Sequence, residues 1–116
     1  MQPKEGEERS VMTVKEKLEY DLESIHYYYT HKQFLNGAEN LEVLAEYALK
    51  AEFYHDLVKT APLNLYAVYV GLYMEDNKQS ALARKLYLSV STLRRQKVEL
   101  HAYLQKKLKE VECGNS

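Results

Sequence analysis

The scarcity of glycine and proline is the feature that most constrains this sequence. Only 4 glycines and 2 prolines stand among its 116 residues, so the chain lacks the turn material that a sandwich or barrel of short strands requires. No segment alternates apolar and polar residues with a period of two, whereas several segments repeat apolar residues every three or four positions. That spacing places side chains along one face of an α-helix. The sequence therefore predicts an all-α protein.

The first helix begins with a capping box, in which Thr13 and Glu16 each satisfy the other's backbone N–H. Apolar residues then recur at steps of three and four, which predicts an amphipathic helix over residues 14–31. These apolar residues are Val14, Leu18, Leu22, Ile25 and Tyr29. Residues 1–12 are polar, acidic and aperiodic, and they predict a disordered tail.

A second helix is expected after a turn at residues 31–37. Asn36 and Glu39 offer its cap, and strong helix formers continue to Lys59. Because this helix carries two apolar seams, we expect it to lie centrally and to be covered on more than one side. One seam is Leu41, Leu44, Ala48, Ala51, His55 and Val58, and the other is Ala45, Leu49, Phe53 and Leu57. Residues 13–60 thus predict an acidic helical hairpin for support or dimerisation.

Residues 61–110 predict a trihelical unit. Pro62 fits only the first turn of a new helix, and that helix is expected to end near residues 75–77. A short helix is expected at residues 79–86 and, after a tight turn, a long helix at residues 90–110. Residues 111–116 are expected to form a frayed C-terminus.

Charge is divided unevenly along the chain, although the formal net charge is only −1. Residues 1–76 hold 7 Lys/Arg and 14 Asp/Glu, a net charge of −7. Residues 77–116 hold 9 Lys/Arg and 3 Asp/Glu, a net charge of +6. Such a division is typical of a nucleic-acid-binding module joined to a module that does not bind nucleic acid.

Several classes of protein are excluded or disfavoured by what the chain contains. Cys113 is the only cysteine, which excludes a disulfide framework and a cysteine-based zinc cluster. The four histidines lack metal-ligand spacing, and no phosphate-binding glycine loop or nucleophile elbow is present. We therefore expect no enzymatic activity, no cofactor and no metal. No apolar run approaches the roughly 18 residues that cross a membrane, so we expect a cytoplasmic protein without a membrane partner.

The most informative stretch is QSALARKLYLSVSTLRRQKVELHAYL, residues 79–104. Its short first helix would bury Leu82, Ala83 and Leu86, where the small Ala83 lets another helix cross closely. Tyr87, Leu88 and Ser89 form the turn, and Leu93 opens a second apolar stripe. A short helix, a three- or four-residue turn and a second amphipathic helix make up the helix-turn-helix layout.

This stretch resembles known DNA-binding families. The segment ALARKLYLSVSTLRR is similar to the helix-turn-helix of Mga-type regulators. Residues 62–110 also resemble the sigma-factor region 4 fold, which recurs in small late-transcription regulators of Gram-positive phages (the ArpU and RinA type). The likeness covers roughly the last 50 residues and leaves residues 1–60 unexplained. It implies a helix-turn-helix unit in this region, which would follow the hairpin predicted from the apolar spacing of residues 13–60.

The resemblance also implies roles for individual residues. The recognition helix would begin near Ser89 or Val90, with Ser89 or Ser91 as its cap. Exposed first turns would present Ser91, Thr92, Arg94 and Arg95 to DNA; the planar fork of arginine can pair with guanine O6 and N7 in the major groove. Phosphate contacts would come from Lys78, Arg84, Lys85 and Lys97, which give affinity but little sequence information.

These expectations add up to a sequence-specific transcriptional regulator, phage- or mobile-element-like, acting in a bacterial cell or phage-infected host. Its main partner would be double-stranded DNA. The likeness to sigma-factor region 4 adds RNA polymerase as a candidate partner, and the N-terminal helices could bind a second copy of the chain. One alternative is a DNA-packaging component similar to a phage small terminase subunit. Another is a non-enzymatic helical adaptor that binds an acidic protein or RNA polymerase.

Overall fold

A computed structural model of the chain describes residues 12–35 and 41–114. Within these ranges the chain forms five α-helices and no strand, which confirms the all-α class. The helices are α1 (Val14–Leu35), α2 (Leu41–Val58), α3 (Leu63–Tyr69), α4 (Gln79–Lys85) and α5 (Val90–Gly114). A π-helical turn, Val70–Met74, continues α3 without a break.

Helix α1 begins at the expected capping box. The N–H of Thr13 donates to Glu16 Oε1 and the N–H of Glu16 donates to Thr13 Oγ1, both at 3.0 Å. The helix continues to Leu35, four residues beyond the expected end, because neither glycine nor proline interrupts the chain before Gly37. The turn expected at residues 31–37 therefore starts later. The cap expected at Asn36 and all of the 1–12 tail except Met12 lie outside the described residues.

Helix α2 packs antiparallel to α1, with Tyr54 opposite Asp21 and Tyr47 opposite Tyr27. Its first seam faces inward, as Ala51 and Val58 are buried, and Tyr54, which belongs to neither predicted seam, is buried beside them. The expectation that α2 lies centrally is wrong, since Leu49 and Phe53 of the second seam are 66% and 40% exposed. Its neighbours α1, α3 and α5 cover one side, so α2 forms an edge of the bundle.

The buried residues of the hairpin and of the C-terminal helices form one core. Helix α1 packs against the π-helical turn and α5 as well as against α2. Leu18, Leu22 and Ile25 of α1 therefore share a cluster with Leu100 and Leu104 of α5. The boundary predicted at residue 60 therefore does not divide the core, because helices on both sides of it contribute to the same cluster.

The close approach of α4 to the π-helical turn depends on Gly71. A Cβ atom at this position would stand 2.4 Å from Cδ1 of Leu82, far inside van der Waals contact. Leu82 is itself buried, so it has little room to move aside. The glycine thus lets α4 lie directly on the preceding turn.

Helix α5 reaches Gly114, four residues into the segment expected to be frayed. Its inward stripe is longer than the Leu93, Leu100 and Leu104 set, because Leu108, in its last turns, is also buried. A helix is stabilised mainly by the packing of its apolar face, so a longer stripe gives a longer helix.

The turn between α4 and α5 strains one residue, and we predict that relieving the strain raises stability. Tyr87 has φ 60° and ends α4 in a Schellman motif: its N–H donates to the Arg84 carbonyl at 3.2 Å, and that of Leu88 to Ala83 at 2.8 Å. Left-handed backbone costs about 1–2 kcal/mol for a residue with a Cβ. Because the Tyr87 side chain is 95% exposed, Tyr87→Gly should raise the free energy of unfolding by about 1 kcal/mol in urea titration.

Tyr87→Ala is the matched control, because alanine also removes the aromatic ring but keeps the unfavourable left-handed backbone. It should leave stability close to that of the wild type. An equal gain for both variants would mean that the exposed ring, rather than the backbone, was the destabilising feature.

Candidate nucleic-acid interface

The start of α5 is organised by Ser89. The Ser89 Oγ accepts a hydrogen bond from the N–H of Thr92 at 3.1 Å and lies 2.9 Å from Thr92 Oγ1. Ser91 Oγ lies 3.3 Å from the same oxygen. Of the two serines considered from the sequence, Ser89 is therefore the cap of α5, and Ser91 is left exposed in the first turn.

The inward side of α5 is set by Leu93, which is fully buried where α4 packs against α5. Successive residues of a helix turn by about 100°. The Arg94 side chain therefore points to one side of Leu93, while the Arg95 side chain points away from the core. Both side chains are exposed. The backbone thus presents two neighbouring arginines along different directions within the first turns.

Helices α4 and α5 bring part of the expected cationic set together. The Arg94 Nε donates to Gln79 Oε1 at 3.5 Å, so the first turns of α5 lie beside the N-terminus of α4. Lys78 immediately precedes that terminus. Within the described residues, no ion pair involves any of four exposed cations, Lys78, Arg84, Arg94 and Arg95. They are available to an anionic partner.

Two other lysines expected to contact phosphate lie elsewhere. The Lys85 Nζ is 3.3 Å from Asn77 Oδ1 and 4.0 Å from Glu75 Oε1, so it faces the residues after the π-helical turn. Lys97 is half-buried and lines a cleft between α1 and α5. The four-residue step from Leu93 explains this, because Lys97 lies only about 40° from the buried face.

That cleft is a feature that the sequence analysis missed. It has a volume of about 280 Å³ and is lined by Glu19, Leu22, Glu23, His26, Tyr73, Lys97 and His101. Tyr73 OH lies 2.9 Å from His101 Nε2, and His26 Nε2 lies 2.6 Å from Asp76 Oδ1. The two histidines are 75 positions apart in the sequence, so no local motif could have indicated that they share a cleft.

The environment of His101 favours its neutral form. Burial lowers the pKa of this imidazole below its usual value, and the nearby Lys97 ammonium lowers it further, while Glu19 acts in the opposite direction. Burial likewise raises the pKa of the Tyr73 hydroxyl to about 12. Both rings therefore remain uncharged at neutral pH, and the Tyr73–His101 contact is a neutral hydrogen bond joining the π-helical turn to α5.

The described ranges 12–35 and 41–114 contain no group of three or more His, Cys, Asp or Glu side chains placed to hold a metal ion. None of the helices in these ranges combines the length and apolar character that crossing a membrane requires. Comparisons with protein-family models, with curated proteins and with solved structures found no match to this chain.

Proposed function

We propose that this protein is a sequence-specific DNA-binding transcriptional regulator, of the kind found in phages and mobile elements, that reads the major groove with the start of α5. One observation carries the proposal. Four exposed cations, which no carboxylate of the described residues pairs with, lie on or next to a short helix and a capped second helix joined by a turn, and two of them, Arg94 and Arg95, lie in the first turns of that second helix. In a helix-turn-helix protein these are the turns that meet base edges.

The proposed roles follow from position. Arg95 points away from the core and is the better placed to reach a guanine, while Arg94 lies beside the α4 terminus and can reach a base or the adjacent backbone. Lys78 and Arg84, near the two ends of α4, would hold phosphates. The hydroxyls of Ser91 and Thr92 would add phosphate contacts at the N-terminus of α5.

The uneven distribution of charge along the chain supports a complex in which α4 and α5 face the DNA. Residues 1–76 carry a net charge of −7 and residues 77–116 one of +6, so the hairpin would be repelled by the phosphate backbone that attracts α4 and α5. The proposed complex therefore places the hairpin away from DNA. A single motif covers few base pairs, so further affinity would come from a second copy on an adjacent half-site or from RNA polymerase in the bacterial or phage-infected cytoplasm.

The proposal is tested by selecting bound sequences from a pool of random DNA duplexes and titrating the best and scrambled sequences at two salt concentrations. Arg95→Ala should weaken binding to the selected site by about 1–3 kcal/mol and relax the preference at one base position. Arg84→Ala should weaken binding to all sequences alike and reduce the salt slope by roughly one unit.

Lys109→Ala provides the matched control. Lys109 is also an exposed cation of α5, but it lies 14 residues beyond Arg95, about 21 Å along the helix axis. The Lys109→Ala variant should bind DNA like the wild type. If Arg94→Ala and Arg95→Ala both behave like Arg84→Ala, α5 does not read the base sequence. If no duplex is preferred over its scrambled version, the proposed function is wrong.

A further inference from the structure

The outward face of α2 is an apolar stripe that no helix of the described chain covers. Leu49 and Phe53 are four residues apart, so they lie one turn above each other, and Ala45 precedes them on the same side. All three are exposed, Leu49 by 66% and Phe53 by 40%. A contiguous apolar patch with a polar border is the usual sign of a site where another molecule docks.

The border of this stripe is acidic. Glu42, Glu46 and Glu52 are exposed, and no ion pair within the described residues involves them. Asp56 is exposed at the end of the stripe, and its Oδ1 lies 3.4 Å from Lys59 Nζ. Three carboxylates beside the apolar residues thus have no cationic partner in the described part of the chain.

The single lysine within α2, Lys50, is turned away from the stripe toward α1. Lys50 Nζ lies 3.0 Å from Asp21 Oδ1 of α1 and stands 4.8 Å from the centre of the Tyr20 ring. The contact with the buried Asp21 carboxylate keeps this cation away from the stripe. The outward face of α2 therefore combines apolar and acidic character without a basic residue of its own helix to offset it.

We propose that this stripe, formed by Ala45, Leu49 and Phe53 with its acidic border, docks a basic amphipathic helix of a partner protein. Apolar residues at steps of three or four on the partner would cover Leu49 and Phe53, and its flanking lysines or arginines would pair with Glu42, Glu46 and Glu52. The same charges disfavour a second copy docking α2 against α2, since acidic borders would then face each other. The surface lies on the acidic hairpin, so a partner could be held while α4 and α5 engage DNA.

The experiment uses the full chain and a labelled synthetic helical peptide with leucines at steps of three and four and lysines on both flanks. Fluorescence anisotropy should show saturable binding to the wild type. Phe53→Ala should weaken that binding on the order of tenfold, and a Glu46→Gln, Glu52→Gln double variant should weaken it with a reduced dependence on salt. These positions are exposed, so circular dichroism should show an unchanged fold.

Leu63→Ala is the matched control, because Leu63 is 80% exposed but lies on α3, outside the stripe. It should bind the peptide like the wild type. A second peptide with glutamates in place of the lysines should not bind. The proposal is overturned if the lysine peptide fails to bind, if the glutamate peptide binds equally well, or if Phe53→Ala behaves like Leu63→Ala. It is also overturned if sedimentation shows a dimer that Phe53→Ala dissociates, since a second copy would then be the occupant.

Discussion

Replacing Leu93 with aspartate is expected to abolish the cooperative unfolding transition of this protein. Leu93 is fully buried in the cluster that joins α1, α4 and α5. An unpaired carboxylate forced into such a site costs several kcal/mol, which is comparable with the whole stability of a small domain, about 5–15 kcal/mol. Because the hairpin and the C-terminal helices share this core, the loss should extend to α1 and α2. Thermal unfolding followed by circular dichroism measures the effect.

Val98→Asp is the matched control for Leu93→Asp. Val98 stands five residues later on α5 and is 68% exposed, so the same carboxylate would remain in water. This variant should unfold within about 0.5 kcal/mol of the wild type. A native-like transition for Leu93→Asp would show that the inward face of α5 is assigned wrongly, and the directions given above for Arg94 and Arg95 would be wrong with it.

Replacing Asp21 with alanine is expected to lower the free energy of unfolding by about 2–3 kcal/mol, because it removes the acceptor of a buried network. Asp21 is 2% exposed. It accepts a hydrogen bond from Tyr54 OH at 2.5 Å, and the ammonium groups of Lys17 and Lys50 lie 3.0 Å from its two oxygens. Alanine leaves the buried Tyr54 hydroxyl without this partner. Both lysines are partly exposed and can turn to water, which limits the cost.

Urea denaturation of Asp21→Ala and Glu23→Ala isolates this network. Glu23 is an exposed carboxylate two residues further along α1 and makes no ion pair within the described residues, so its removal should have little effect. Tyr54→Phe should cost about 1 kcal/mol, the usual value of one hydrogen bond. Equal stabilities for Asp21→Ala and Glu23→Ala would mean that the network contributes nothing to folding.

The Asp21 network should also make the stability of the protein depend on pH in the acid range. Burial opposes ionisation of Asp21, but the hydrogen bond from Tyr54 and the two ammonium groups outweigh it, and the pKa of this carboxyl lies below its usual value. The stability it contributes is complete above the unfolded pKa, about 3.9, and is lost as the pH falls through the folded pKa. Asp21→Asn should therefore show a flatter loss of stability below pH 4 than the wild type; identical slopes would exclude this coupling.

Much of the local structure could be predicted from the sequence by itself. The capping box of Thr13 and Glu16, the buried stripe of α1 and the inward position of Leu93 all appear where the spacing of residues places them. The physical reason is that capping bonds and helical faces join residues three or four positions apart, so the sequence contains both partners.

Other features depended on which helices become neighbours. Two apolar seams on α2 are compatible with burial on both sides, and only the packing of α1, α3 and α5 on one side leaves Leu49 and Phe53 exposed. The buried Asp21 lies 29 and 33 positions from Lys50 and Tyr54, and Lys97 meets Glu19 and His26 only across the cleft. Periodicity states which residues share a face of a helix, but the tertiary structure decides what that face meets, because contacts between helices depend on their relative placement.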